Sequence, residues 1–347
     1  MQKQRNLYID VLKAITIILV VLGHAIQYGA GMDNLAYGGF FYNPVFAFIY
    51  SFHMPLFMLI SGYLFSCSCK QKSCTKLLFS KIKQLLIPLF FWSCIFTFLQ
   101  CIKAAIGQSS QNVTIIWIFQ TIYSGFKGGP WFLWAIWWCS FIIIINRKFF
   151  KDNIIIYILI CLICFVVPDG NNLAVYKFMW PFFCLGYLFN KYDLKTKLSK
   201  IYTHKAFGFG CLFVFMILFS FYNYNTYIYT TGFTVLGKNI FQQIHNNCFR
   251  FLIGLVGSLS VMCIVYAFMD ILPKIIKKFL AFVGTCTMGI YIISNYLFDE
   301  VVKLVAFSGL NYWCIAIQTI CILAVCILIT FVLKKIKTAN QIFLGGR

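Results

Sequence analysis

An all-α integral membrane fold, a bundle of about ten transmembrane helices with both termini cytoplasmic, is what this sequence predicts. Three observations predict it. Of the 347 residues, 61% are hydrophobic and only 11% are charged, under half of the roughly 25% that a water-facing surface needs. Mean hydropathy is +0.85, which excludes disorder, because disordered segments are poor in apolar side chains. Apolar runs close to a bilayer thickness then recur along the whole chain. The solvent for most of this protein is lipid.

A spanning helix needs about 20 predominantly apolar residues. In order, the candidates are 8–28, 44–66, 85–106, 131–146, 154–168, 175–190, 206–224, 249–270, 281–299 and 312–333. The fifth and sixth are short and meet at Pro168-Asp169-Gly170, a turn signal. The stretch 113–124 reads as an interfacial or re-entrant helix and is not counted. Lys3 and Arg5 ahead of an apolar run also suit a signal peptide. However, His24 and Gln27 interrupt the end of that run, and no soluble domain follows. A retained first helix is the expectation, within one domain over 1–337 and a short cytoplasmic tail at 338–347.

Lys and Arg number 29 against 8 Asp and Glu, a net charge of +21. With the N-terminus inside, the outer side or outer helix ends hold only Lys103, Lys127, Lys177, Lys238, Arg250 and Lys303. Lys13 lies within the first span, and every other basic residue falls inside. That asymmetry obeys the positive-inside rule. It accounts for the pI of about 9.4 without nucleic acid, which is excluded as a partner. Most of the 16 cysteines sit in apolar runs and read as packing residues. Cys67, Cys69 and Cys74 share a basic loop suited to metal or palmitate, but no second ligand cluster supports metal, and no metal is expected.

Ionisable groups inside lipid usually face functional cavities, and the first helix carries Asp10, Lys13 and His24. The steps from Lys13 to His24 turn the helix about 20° past three full turns, so the two share a face about 16 Å apart. Asp10 precedes Lys13 by one surface-neighbour spacing. One stripe thus bears an acid and a base near one entrance and an imidazole near the other. The plainer alternative is an Asp10–Lys13 ion pair and a histidine bonded to a backbone carbonyl. The second span begins Phe52-His53-Met54-Pro55 and runs on to Ser61-Gly62-Tyr63. His53 falls on the same outer side as His24, either sharing its cavity or sitting as an interfacial histidine capped by water. Between Lys70 and Lys83 lies a dense basic patch, for headgroups by default or for a polyphosphate such as the nucleotide end of coenzyme A. The loop 191–205 competes for that role. Phosphate-loop, zinc-protease and nucleophile-elbow motifs are absent.

Several segments, in order, resemble the acyltransferase 3 group of integral membrane O-acyltransferases, particularly the branch related to fucose 4-O-acetylases. The most specific are Tyr8-Ile-Asp10-Val-Leu-Lys13-Ala-Ile with Val20-Val-Leu-Gly-His24, and Phe52-His-Met-Pro-Leu-Phe-Met-Leu-Ile-Ser-Gly-Tyr-Leu-Phe65. Weaker matches are Lys81-Ile-Lys-Gln-Leu-Leu-Ile-Pro-Leu-Phe-Phe-Trp-Ser93, Gly129-Pro-Trp-Phe-Leu133, Pro181-Phe-Phe-Cys-Leu-Gly-Tyr-Leu188, Arg250 leading to Gly257-Ser-Leu, and Gly284-Thr-Cys-Thr-Met-Gly-Ile-Tyr291.

The resemblance implies ten core helices and transfer of an acyl group, usually acetyl from coenzyme A, to carbohydrate hydroxyls. It places the functional histidine on His24 and the family's first-helix arginine on Lys13, where lysine keeps the charge but loses the planar fork. Where relatives often carry a late histidine, Ser294 and Asn295 stand here, and no role is carried over. Lys81 and Lys83 are the nearest match to the basic coenzyme A motif. Catalytic candidates are therefore His24, Asp10 and Lys13. Candidates on the acceptor side are His53, Ser61, Tyr63, Trp131 and Arg250. The expected setting is the inner (cytoplasmic) cell membrane, with acetyl-CoA as donor, membrane lipid and a carbohydrate acceptor as partners, and other members of a surface-polysaccharide pathway as associates. The competing class is a transporter or flippase for a lipid-linked sugar, which needs no thioester.

Overall fold

The computed structural model describes residues 6–29, 39–108, 111–166, 173–198, 205–222, 239–300 and 311–346. Lys3, Arg5, Lys200, Lys238, Lys303, Arg347 and the Pro168-Asp169-Gly170 turn lie outside the described residues. Those described are helical or connecting, with no strand among them.

The first apolar run forms α1, Leu7–Gly29. Next, Asn43 caps α2 (Pro44–Tyr50) by accepting from the Phe46 N–H at 3.0 Å, with Pro44 in the first turn, where a missing N–H costs nothing. A break at Phe52 follows before α3, His53–Cys69, so the second predicted span is two helices. Pro55 supplies the reason: it has no N–H to offer the Ser51 carbonyl, so the ladder cannot run through. Then come α4 (Cys74–Lys81), a π-helical turn over Ile82–Leu86, and α5 (Ile87–Ala105) with Pro88 in its first turn.

The uncounted stretch is α6, Ile115–Gly128, which buries no side chain and rests Gly125 on Ser93 of α5. There follow α7 (Trp131–Phe149), α8 (Ile154–Val166), α9 (Leu173–Lys191), α10 (Lys205–Ser220) and α11 (Ile240–Phe268). The ninth predicted span is a bent pair, α12 (Lys274–Thr285) and α13 (Thr287–Glu300), with a bend of 69°. Lys334 holds that corner by donating to the Thr285 carbonyl at 2.7 Å. Last come α14 (Tyr312–Lys335) and α15 (Lys337–Phe343). The segment expected as a tail docks on α5, where Trp92 donates to the Phe343 carbonyl at 3.0 Å and Leu344 is buried.

Among the described residues, six helical stretches are long and apolar enough to cross a membrane, counting Pro44–Cys69 and Cys74–Ala105 as one each, or seven with the bent pair as one span. The chain is a multi-pass membrane protein. Its α1 is the central strut, packed by α12, α13, α14 and α3. Two contacts are close enough to require glycine. A Cβ on Gly284 would lie 1.9 Å from the Asp10 carbonyl oxygen, so α12 touches the α1 backbone. Between α3 and α9 the demand is reciprocal: a Cβ on Gly62 or on Gly186 would lie 2.0 Å from the carbonyl oxygen of Phe183 or Leu59, respectively. These contacts fix α12 against α1 and α9 against α3.

Candidate active site

His24 lies three-quarters of the way along α1, walled by aromatic rings. Tyr28, one turn on, meets its ring edge-on at 6.2 Å between centroids, and Phe298 of α13 does so at 5.8 Å. Tyr28 and Phe298 stack on each other at 5.9 Å, closing that side. Within this apolar wall the His24 Nδ1 is buried and has no hydrogen-bond partner among the described residues. A buried polar atom left in that condition costs about 1–3 kcal/mol. Native structures keep few such groups, and they concentrate where function requires them.

His53 approaches from the other side. It opens α3 and is only 2% exposed. The Ile49 carbonyl, which accepts from the Phe52 backbone N–H at 3.3 Å, also meets the His53 ring, whose Nδ1 lies 2.8 Å away. A carbonyl only accepts, so Nδ1 carries the proton, and in the neutral ring Nε2 carries the basic lone pair. That second-residue constraint is how a protein selects one tautomer. Tyr50 packs on the His53 ring at 4.6 Å and stacks on Phe46 at 3.8 Å. Gly23 admits Tyr50 to α1, since a Cβ there would lie 2.5 Å from its Cε2. His24 and His53 stand within electrostatic reach of one another. Tyr50 is likewise within reach of Tyr28 and Tyr291.

Tyr291 of α13 completes the ring of residues, and the backbone N–H of Phe132 at the start of α7 donates to its hydroxyl at 3.3 Å. Ser294 and Asn295 bond back to the Tyr291 carbonyl at 3.3 and 2.8 Å, serving the helix.

Asp10 and Lys13 occupy the opposite end of α1, paired at 2.9 Å. Nearby the Tyr8 hydroxyl donates to the Met262 carbonyl of α11 at 2.7 Å. The stripe therefore has two separate ends rather than one cluster. At the same end, three helices converge on Asp152, in the turn between α7 and α8. Its carboxylate accepts from the Tyr157 and Tyr187 hydroxyls and pairs with Lys191 at 3.0 Å. Burial alone would raise the Asp152 pKa, but those bonds outweigh it and hold the carboxyl below its ordinary value. Arg147 donates to the Tyr187 hydroxyl at 3.4 Å and to the Cys69 carbonyl at 3.2 Å, and Lys70 to the Asn190 carbonyl at 3.1 Å.

The remaining candidates divide. Trp131 packs on Phe132 at 5.8 Å, which brings it beside Tyr291. Arg250 lies on α11, bonded to Asn247 at 3.4 Å, one turn before Gly254, which rests on Pro55. Tyr63 packs against the buried cluster of Ile9, Val11, Leu12, Leu56, Ile60 and Val265, near the Asp10 end, and Ser61 precedes it by two residues on α3. Lys81 and Lys83 diverge, Lys81 lying 4.9 Å over the Phe65 ring and Lys83 exposed. Among the described residues, no group of three or more His, Cys, Asp or Glu side chains is arranged to hold a metal ion.

Sequence reasoning missed Tyr28, Tyr50, Tyr291 and Phe298. A signal existed for Tyr28, one turn from His24 on the same face, and for Gly23, a small residue beside a buried histidine. Phe298 comes from a distant helix, and no local pattern announces it.

A buried imidazole pair at one end of α1 and basic residues at the other belong to a membrane acyltransferase, as the family match shows. Residues 6–335 match the acyltransferase 3 family, described as an acyltransferase domain, and the chain belongs to that family. Among curated proteins it is similar to the nodulation protein NolL of Mesorhizobium japonicum, 36% identical over 190 residues, covering 53% of this chain and 48% of that protein. It is also similar to the nodulation protein NolL of Sinorhizobium fredii, 32% identical over 232 residues, covering 65% of this chain and 60% of that protein. The matches thus span about half to three-fifths of those relatives' length. No solved structure matches.

Proposed function

We propose that this chain is an O-acyltransferase of the inner cell membrane that moves an acetyl group, or another short acyl group, from the corresponding acyl-CoA to a hydroxyl of a cell-surface or lipid-linked carbohydrate. The observation that supports this most is the His24–His53 pair: two imidazoles in one aromatic enclosure, one held as a single tautomer by Ile49. A sugar hydroxyl attacks poorly until its proton is removed, and neutral imidazole is the side chain suited to that work near neutral pH.

In this reading His24 takes the hydroxyl proton as the oxygen attacks the thioester carbonyl. The new C–O bond forms, the C–S bond breaks, and the proton passes from His24 to the departing sulfur. His53, anchored through Nδ1, orients the pair. Lys13 lies about 16 Å along the axis, too far to touch the reacting atoms, and contacts the donor's extended arm with Asp10 holding it in place. With both termini cytoplasmic, the ten-span topology puts the basic end inside, where Lys81 and neighbouring cations meet the donor's phosphates. The histidine end then receives the acceptor from outside. Apposed aromatics such as Trp131 suit the apolar faces of sugar rings.

The test is mass analysis of surface glycans from cells with and without the protein. Loss of acetyl increments in its absence is the expected result. Unchanged acetylation, with loss instead of glycan export, would replace this reading by the transporter one.

A further inference from the structure

Beside the histidine enclosure lies a cavity of about 860 Å³ between α6, α7 and α9. Its walls are aromatic, with Trp134, Trp138, Tyr176 and Trp180, and two cations line it, Lys127 and Lys177. No Asp or Glu among the described residues does so. Lys177 is the unusual one: it lies on an otherwise apolar helix face and is only 5% exposed. Charge placement in the sequence expects it at an outer helix end; it lies in the first turns of α9, in the cavity wall. Burying an ammonium in a membrane protein is costly, and such groups mark ligand pathways. Lys127 is exposed at the rim, 5.9 Å over the Tyr123 ring.

One residue of the cavity wall reaches toward the candidate active site. Tyr176 is within electrostatic reach of Tyr291, and Tyr291 is the hydroxyl that meets the Phe132 N–H beside Trp131. The cavity's volume is that of a pocket for a small ligand, within the usual range of about 300–1,000 Å³. Flat indole and phenol faces pack against the C–H faces of sugar rings, whereas lysines recognise negative charge. Neither feature alone specifies a ligand. Together they specify one class.

We propose that this cavity is the acceptor subsite and that it selects an acidic carbohydrate, one bearing a carboxylate or phosphate, with the anionic group facing Lys177 and Lys127 and the rings against Trp134, Trp138 and Trp180. The assignment deepens the acetyltransferase reading and rests on it for the word acceptor, but the binding preference stands independently of transfer. The enclosure next door would then receive the hydroxyl of an adjoining sugar rather than the charged group itself.

Three cavity tryptophans make binding directly readable by intrinsic fluorescence. The purified full chain in neutral detergent is titrated with a glucuronate-terminated disaccharide, its 6-phosphoglucose counterpart and its glucose-terminated counterpart. Charge-assisted bonds predict that at least one acidic sugar binds about tenfold or more tighter than the neutral one. Lys177→Gln should abolish that preference, Lys177→Arg should retain it, and Lys127→Gln should reduce it. Lys177→Arg and Lys127→Gln keep the test decisive if Lys177→Gln fails to fold. Failed acetyl transfer by the wild-type protein with the acidic-sugar preference intact would overturn the enzyme reading alone. Equal binding of all three sugars, or no binding of any, would overturn the acidic subsite. So would displacement of the acidic sugars by phosphatidylglycerol in mixed micelles at equal or lower concentration, which would make the cavity a lipid headgroup site.

Discussion

Replacing Gly23 by alanine adds one methyl group and should disable the site while leaving the bundle standing. The new Cβ would lie 2.5 Å from Tyr50 Cε2 and 3.4 Å from Cδ2 and Cζ. Comfortable carbon–carbon separation is about 3.5–4.0 Å, so the ring must retreat by about 1 Å. It has little room, being stacked on Phe46 at 3.8 Å and packed on His53 at 4.6 Å. Overpacking of this kind costs about 1–3 kcal/mol, a modest part of a protein's stability. The site should suffer more, because a 1 Å displacement of a catalytic group costs about 100-fold in rate. The assay pairs initial rates of acetyl transfer by purified protein with thermal unfolding in detergent. Gly210→Ala serves as control, since nothing lies within 4 Å of its added Cβ. A rate for Gly23→Ala within about twofold of wild type would refute the claim that Tyr50 positions His53.

Gly186→Ala should be far more damaging to the fold, because its Cβ would meet the Leu59 carbonyl oxygen at 2.0 Å and backbone cannot step aside as a ring can. Loss of folded, detergent-soluble protein on size-exclusion chromatography is the expected outcome. At the Asp10 end, Lys13→Arg should keep much of the transfer rate and Lys13→Ala little, whereas equal rates in both and wild type would remove Lys13 from donor binding. Asp152→Asn should cost about 1–3 kcal/mol at neutral pH, measured by chemical unfolding, through its charged hydrogen bonds. The sign of its pH dependence follows from the lowered pKa: the contribution is present above the ordinary carboxyl value of 3.8 and is lost as pH falls through the folded value. Wild type should therefore lose its advantage over Asp152→Asn on acidification, and a constant gap down to strongly acid pH would contradict the bonding described.

Much of the helix plan was legible because apolar runs of spanning length have few alternatives in lipid. The break before His53 was marked by Pro55, but its consequence was not. Only the folded chain shows the Ile49 carbonyl shared between the Phe52 N–H and the imidazole. The bend between α12 and α13 carries no proline, and its Gly-Thr-Cys-Thr sequence continues a helix as readily as it ends one. His24 stood out as an imidazole in an apolar run, whereas Phe298 and Tyr291 reach it by helix packing, which follows from shape across hundreds of residues. Ser61 and Tyr63 flank Gly62, where α3 and α9 touch, a packing seam that the sequence does not announce. Lys177 was visible as a charge but not as a buried one, since burial depends on the cavity that α6, α7 and α9 form around it.

The most direct measurement is acetyl transfer from acetyl-CoA to a carbohydrate acceptor by purified wild-type protein and by His24→Ala. Thermal unfolding of both should confirm that each is folded. The imidazole at this position is assigned the proton transfer, so the variant should melt close to wild type and transfer nothing measurable above background. A folded His24→Ala protein that transfers at the wild-type rate would contradict it.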